Sequence, residues 1–161
     1  MSTIIEVPTG QQLANKHLLS DELWKRLVKR IEKDEGIELP MAERIMDQAL
    51  GFLRLVALDS GKGYAPSARV DIGWHTFVLY TRSYAEFCDR IAGQFIHHEP
   101  SDEEGVDYGT EHIARTVKSM LSFGIPVDLE IWMSDGEGGD GGEGGPYCKP
   151  GCGPYCRDSS S

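Results

Sequence analysis

The chain of 161 residues carries 26 acidic against 16 basic side chains, a net charge of −10, and that length supplies one ordinary hydrophobic core and is short for two. An acidic balance of this size excludes a nucleic-acid partner, because phosphate binding requires clustered Lys and Arg, and no run approaches the roughly twenty apolar residues of a membrane span. The opening "MSTIIEVPTGQQ" has neither the basic start nor the apolar run of an export signal, so a cytoplasmic protein without a membrane partner is expected. Its four cysteines are then reduced, and read as metal ligands, redox groups or modification sites rather than disulfides.

In chain order, "SDELWKRLVKRIEKDEG" predicts the first helix. Ser20 caps it, Asp21 and Glu22 suit its positive end, Gly36 ends it, and Leu23, Trp24, Leu27, Val28 and Ile31 form one apolar stripe. "PMAERIMDQALGFLRLVALD" follows with Pro40 in a first-turn position and apolar Ile45, Met46, Ala49, Leu50, Leu53, Val56 and Ala57, the pattern of a central helix. The loop "SGKGYAPS" breaks the chain. Two shorter helices are predicted over residues 68–80 and 83–92, the second capped by Ser83 and stopped by Gly93. After the acidic linker "EPSDEEGVDYG", the stretch "TEHIARTVKSMLSFG" reads as a helix from Thr110 to Gly124, with Ile113, Val117, Met120 and Leu121 on its buried face. In "IPVDLEIWM" the alternation of Val127, Leu129 and Ile131 predicts a short extended segment. The expected fold class is all-α: a bundle of about five helices over residues 1–133, with that extended segment and a disordered Gly/Cys-rich tail over residues 134–161.

Chemistry concentrates in "VDIGWHTFVLYTRSYAEFCDRIAGQFIHHEP", which holds three of the five histidines and one cysteine. Asp71 and His75 stand at i and i+4 and share a helix face, beside an apolar face of Trp74, Phe77 and Val78. Either Asp71 is a co-ligand or the acceptor that fixes the imidazole tautomer for a metal, or the pair is a hydrogen bond that orders the fold. Tyr84, Phe87, Cys88 and Ile91 form one stripe of the next helix, so Cys88 is a small buried hydrophobe or a buried ligand. Gly93 lets the chain turn back, and because neighbours in extended chain face opposite ways, one of His97 and His98 reaches the pocket of His75. A set of His75, His98, Asp71 and Cys88 offers the N, O and S donors used by zinc, iron or copper.

These residues resemble the glycine-rich domain-containing protein family, whose pattern runs from an acidic residue through Trp-His-x-His and Tyr-x-x-Phe-Cys to a His before an acid or proline. The likeness spans about residues 40–133. It falls on Asp71, Trp74, His75, Tyr84, Phe87, Cys88 and His98, and departs at Phe77, which stands where the pattern has a second His. The resemblance implies a small helical domain with a pocket and a glycine- and cysteine-bearing tail, and implies no particular reaction.

The tail "GGDGGEGGPYCKPGCGPYC" spaces Cys148, Cys152 and Cys156 at intervals of four, with Pro and Gly forcing turns between them. Three thiolates on such turns suit copper(I) or zinc, although the C-x2-C pairs of zinc ribbons are absent. A compact Cys, Tyr and Pro segment on a glycine spacer also suits presentation to a protein partner or modifying enzyme. No Walker loop, dinucleotide fingerprint or hydrolase elbow is present. Three readings follow: a metal-binding protein using the His/Asp/Cys pocket and the tail, a non-enzymatic leader or scaffold whose tail is bound or modified, and a metal-dependent enzyme.

Overall fold

In a computed structural model of the protein, which describes residues 13–98 and 110–133, every regular element is helical. The Ser20 hydroxyl accepts from the Leu23 amide at 3.2 Å and opens α1 (Asp21–Glu35), which ends at Gly36 in the left-handed conformation that costs glycine nothing. A 3-10 turn, Lys16–Leu18, precedes it. α2 (Leu39–Leu58) starts with Pro40 in its first turn, where the missing N–H is no loss. α3 (Ala68–Leu79), α4 (Thr81–Ala92), α5 (Thr110–Ser122) and α6 (Leu129–Met133) complete the order, with no strand among the described residues. The all-α architecture expected from the sequence is the one observed.

α2 is the axis of the bundle. Ile45, Met46, Ala49, Leu50, Phe52, Leu53 and Leu55 are each at most 2 % exposed, a burial all round that places a helix among neighbours rather than at a surface. The other helices pack around it. Its two buried polar residues are fully used. Asp47 accepts from the Asn15 amide at 2.8 Å and anchors the chain before α1, while the Gln48 carbonyl accepts from the Asp128 amide at 3.0 Å and from the Trp132 indole at 2.8 Å.

That second anchor explains where the extended segment gives way to helix. Arg44 grips the Asp128 carboxylate through two hydrogen bonds, of 2.8 and 3.0 Å, and reaches Glu130 at 2.8 Å. Asp128 is thereby fixed as the first residue of a turn, and its carbonyl accepts from the Ile131 and Trp132 amides. Ile131 and Trp132 are both buried while Leu129 faces solvent, so consecutive side chains share one side, as a helix allows and a strand does not. The start of α4 also differs from expectation. Tyr80 alone separates α3 from α4, and Ser83 lies inside the helix instead of capping it. No Gly or Pro stands in "LYTRSY" to hold the two helices further apart. Gly93 does end α4, in the left-handed conformation.

α3 lies unusually close to α2. A Cβ built on Gly73 would stand 2.7 Å from the Ala49 Cβ and 3.1 Å from the Ile45 carbonyl oxygen, so only glycine lets the helices approach this far. Replacing Gly73 with Ala raises helix propensity by about 1 kcal/mol but overpacks the contact, at a cost of about 1–3 kcal/mol. Gly73→Ala should therefore be the less stable protein in urea denaturation. A variant more stable than the parent by the full propensity gain of about 1 kcal/mol would mean that the helices do not touch there.

Candidate metal centre

Ser67 sets the position of the site. Its hydroxyl caps α3 by accepting from the Val70 amide at 3.2 Å and donates to the Ile131 carbonyl at 2.9 Å, joining α3 to α6. Starting the helix there puts Asp71 in the first turn, where the helix dipole favours a negative charge. The tight α2–α3 contact then buries that carboxylate, leaving Asp71 2 % exposed. One turn on, the His75 Nε2 lies 3.8 Å from Asp71 Oδ2, an ion-pair distance too long for a hydrogen bond.

The third group arrives from the other end of α4. Residues after Gly93 run back along the helix pair, with Ile96 buried, His97 exposed against the Phe95 ring, and His98 turned inward. The His98 Nε2 meets Asp71 Oδ1 at 2.7 Å across 27 residues of sequence. Its ring lies between the Trp74 ring, 4.1 Å away between centroids, and the His75 ring at 4.3 Å. One donor atom from each of Asp71, His75 and His98 falls within 4.8 Å of the other two. Of the candidates in the sequence, these three come together. The buried Cys88 thiol does not join them: it sits against the Ile96 backbone and the Tyr84 hydroxyl, and burial pushes its pKa up. Cys148, Cys152 and Cys156, and with them any partner or modifying enzyme of the tail, lie outside the described residues.

Two imidazole nitrogens and a carboxylate oxygen form a donor set suited to first-row divalent metals. Burial holds the His75 imidazole below its ordinary pKa and the neighbouring His98 adds to this, while Asp71 opposes it. The neutral ring that results is the form a metal ion requires. Bonds of 2.0–2.1 Å in a tetrahedron separate ligand atoms by about 3.3 Å, a spacing bracketed by the Asp71–His98 and Asp71–His75 separations of 2.7 and 3.8 Å, so these residues would hold such an ion with small adjustments. Two further participants were read from the sequence as core aromatics. The Trp74 indole donates to the Tyr84 hydroxyl at 2.9 Å, and that hydroxyl donates to the Ile96 carbonyl. Only the general rule that buried Trp and Tyr seek partners for their polar ends signals such a role in advance.

The chain matches the UCP032817-like family over residues 11–112, a span that holds α1 to α4 and all three converging residues. It belongs to the UCP032817-like family. This corrects the likeness to the glycine-rich domain-containing proteins, which rested on a few positions and was broken at Phe77. The structure supplies the reason for the break: Phe77 is wholly buried against the Tyr84 and Phe87 rings, at 5.2 and 5.1 Å, and is a core position. The UCP032817-like family carries no assigned activity, and no curated protein and no solved structure matches the chain.

The lowered His75 pKa has a measurable sign. In metal-free protein the folded state keeps a neutral ring, while the unfolded chain takes up a proton near the ordinary value of about 6.5. The stability this confers is complete above that value and is lost as pH falls through it toward the lowered folded value. With chelator present, the parent should lose more stability than His75→Gln between about pH 7.5 and about pH 5.5 in urea denaturation. Equal losses would mean that His75 titrates as an ordinary histidine.

Proposed function

We propose that this protein binds a divalent transition metal, zinc, iron or copper, through Asp71, His75 and His98. The observation that carries the reading is the meeting of a carboxylate and two imidazoles within 4.8 Å, with one member brought from 27 residues away. An isolated Asp and His one turn apart would need no further explanation as a surface pair. A buried carboxylate flanked by two histidines is the arrangement from which metal sites are made, because the ligands must be deprotonated and held at the right separation.

Among the described residues three donors converge, one fewer than a closed tetrahedral site uses. Structural zinc sites use four protein ligands, whereas catalytic ones use three and leave a position for water or substrate. A three-donor site with an open position would do chemistry on a bound ligand, in a metal-assisted reaction in which the ion polarises a bond or activates water. The cysteine tail offers softer donors of a different class, so the two candidate sites differ in metal preference as well as in sequence position.

Elemental analysis of untagged full-length protein separates them. Parent protein and the triple variant Cys148→Ser, Cys152→Ser, Cys156→Ser should each hold roughly one metal equivalent, while His98→Ala and His75→Ala should bind at least about 100-fold more weakly and leave purification largely empty. Metal that follows the cysteines instead would move the function to the tail. Absence of metal from every form, after growth with zinc, iron and copper and after reconstitution, would end the metal reading.

A further inference from the structure

We infer that the Tyr84 hydroxyl is the positioning group that delivers His98 to Asp71, and so governs the affinity of the metal site proposed above. Its consequence for metal rests on that proposal, but the geometry behind it does not. His98 stands at the end of a segment, residues 94–98, with no regular secondary structure. Among the described residues, 94–97 make no backbone–backbone hydrogen bond; the last before them is Gly93 to Asp89 at the end of α4. Something other than a helix or sheet must hold the backbone where His98 can turn inward.

Side chains of α4 do so. The Tyr84 hydroxyl donates to the Ile96 carbonyl, two residues before His98. The Cys88 thiol, one turn further along α4, sits against the Ile96 backbone. The Tyr84 ring packs edge-on against Phe95 at 5.2 Å. Tyr84 is also tied to the other side of the site, because its hydroxyl accepts from the Trp74 indole at 2.9 Å and the Trp74 ring lies against the His98 imidazole at 4.1 Å. A single oxygen thus fixes both the backbone that carries His98 and the ring that lines its imidazole. Since alternate side chains of extended chain face opposite ways, the register at Ile96 decides which histidine points in. With the Ile96 carbonyl held, His98 faces Asp71 and His97 faces solvent. A slip of one residue would exchange them.

Tyr84→Phe keeps the ring, which is wholly buried against Phe77 and Phe95, and removes only the oxygen. Two readouts apply to the full-length protein. In metal-free protein, ¹⁵N-resolved imidazole spectra of His98 should show a single Nε2 environment bonded to carboxylate, and in Tyr84→Phe this signature should weaken or average with a second environment. With zinc or cobalt(II) as the probe, the variant should bind about 10- to 100-fold more weakly than the parent, as supporting partners of metal ligands generally do. Phe87→Leu, a core change on the same helix that leaves the hydroxyl in place, should lower stability without moving either readout. An unchanged His98 signature in folded Tyr84→Phe overturns the inference, as does a Phe87→Leu shift of equal size. Should Tyr84→Phe fail to fold, Trp74→Phe removes the indole donor while keeping a ring beside His98, and undiminished metal affinity there is equally contrary. If the parent takes up no zinc or cobalt, the metal reading fails alone and the imidazole signature still tests the latch.

Discussion

A carboxylate withdrawn from water needs partners that replace its hydration, and in this protein Asp71 is the group whose demand organises the rest. Removing an ionised side chain from solvent costs several kcal/mol even after relaxation, so a position only 2 % exposed is tolerable only if compensation is built around it. Among the described residues the compensation comes from the first turn of α3 with its favourable dipole and from the His98 ring nitrogen at 2.7 Å, with the His75 imidazole nearby at 3.8 Å. The depth of the carboxylate follows from Gly73. The glycine lets α3 press onto Ala49 and Ile45 of α2, and a wider spacing between the helices would leave Asp71 nearer to water.

A second set of buried polar contacts does a different task on the other side of α2. Asp47, Gln48 and Arg44 each project from the central helix and each holds a segment that lacks regular structure of its own: Asn15 before α1, and residues 126–128 ahead of α6. Burial pushes the Asp47 carboxyl up in pKa, against the pull of the Asn15 and Gln48 hydrogen bonds. Asp47 and Gln48 are satisfied by backbone amides, a carbonyl and neighbouring side chains, and Arg44 by the Asp128 and Glu130 carboxylates. They define a place in the fold rather than a site. Asp71 differs in that, among the described residues, two imidazole rings, of a kind that can exchange a proton for a metal ion, lie against it.

Much of the architecture was legible in the sequence because local signals and burial agreed. Ser20, Gly36, Pro40 and Gly93 mark ends that the structure respects, and Trp24, Leu27, Val28 and Ile31 of the expected α1 stripe are buried, with Leu23 half-buried. The failures came where tertiary contacts overruled a local pattern. Residues 127–131 alternate like a strand, yet the Arg44 and Gln48 contacts with Asp128 commit them to a turn of helix. Ser83 resembles a cap, but the chain resumes helix at Thr81. Around the site, Asp71 and His75 were visible as an i, i+4 pair. The inward choice of His98 over His97 was not, since it depends on which carbonyl the Tyr84 hydroxyl holds. That choice lies in a contact twelve residues long in sequence and has no periodicity to announce it.

The whole account depends on Asp71 and His98 meeting as a coupled pair. A double-mutant cycle in metal-free protein, using Asp71→Ala, His98→Ala and the double variant in urea denaturation, measures that coupling directly. The 2.7 Å contact predicts a coupling free energy of about 1.5–3 kcal/mol, the range for hydrogen bonds to charged groups. Additive losses, with coupling near zero, would show that the two side chains do not meet, and the site built on them would fall.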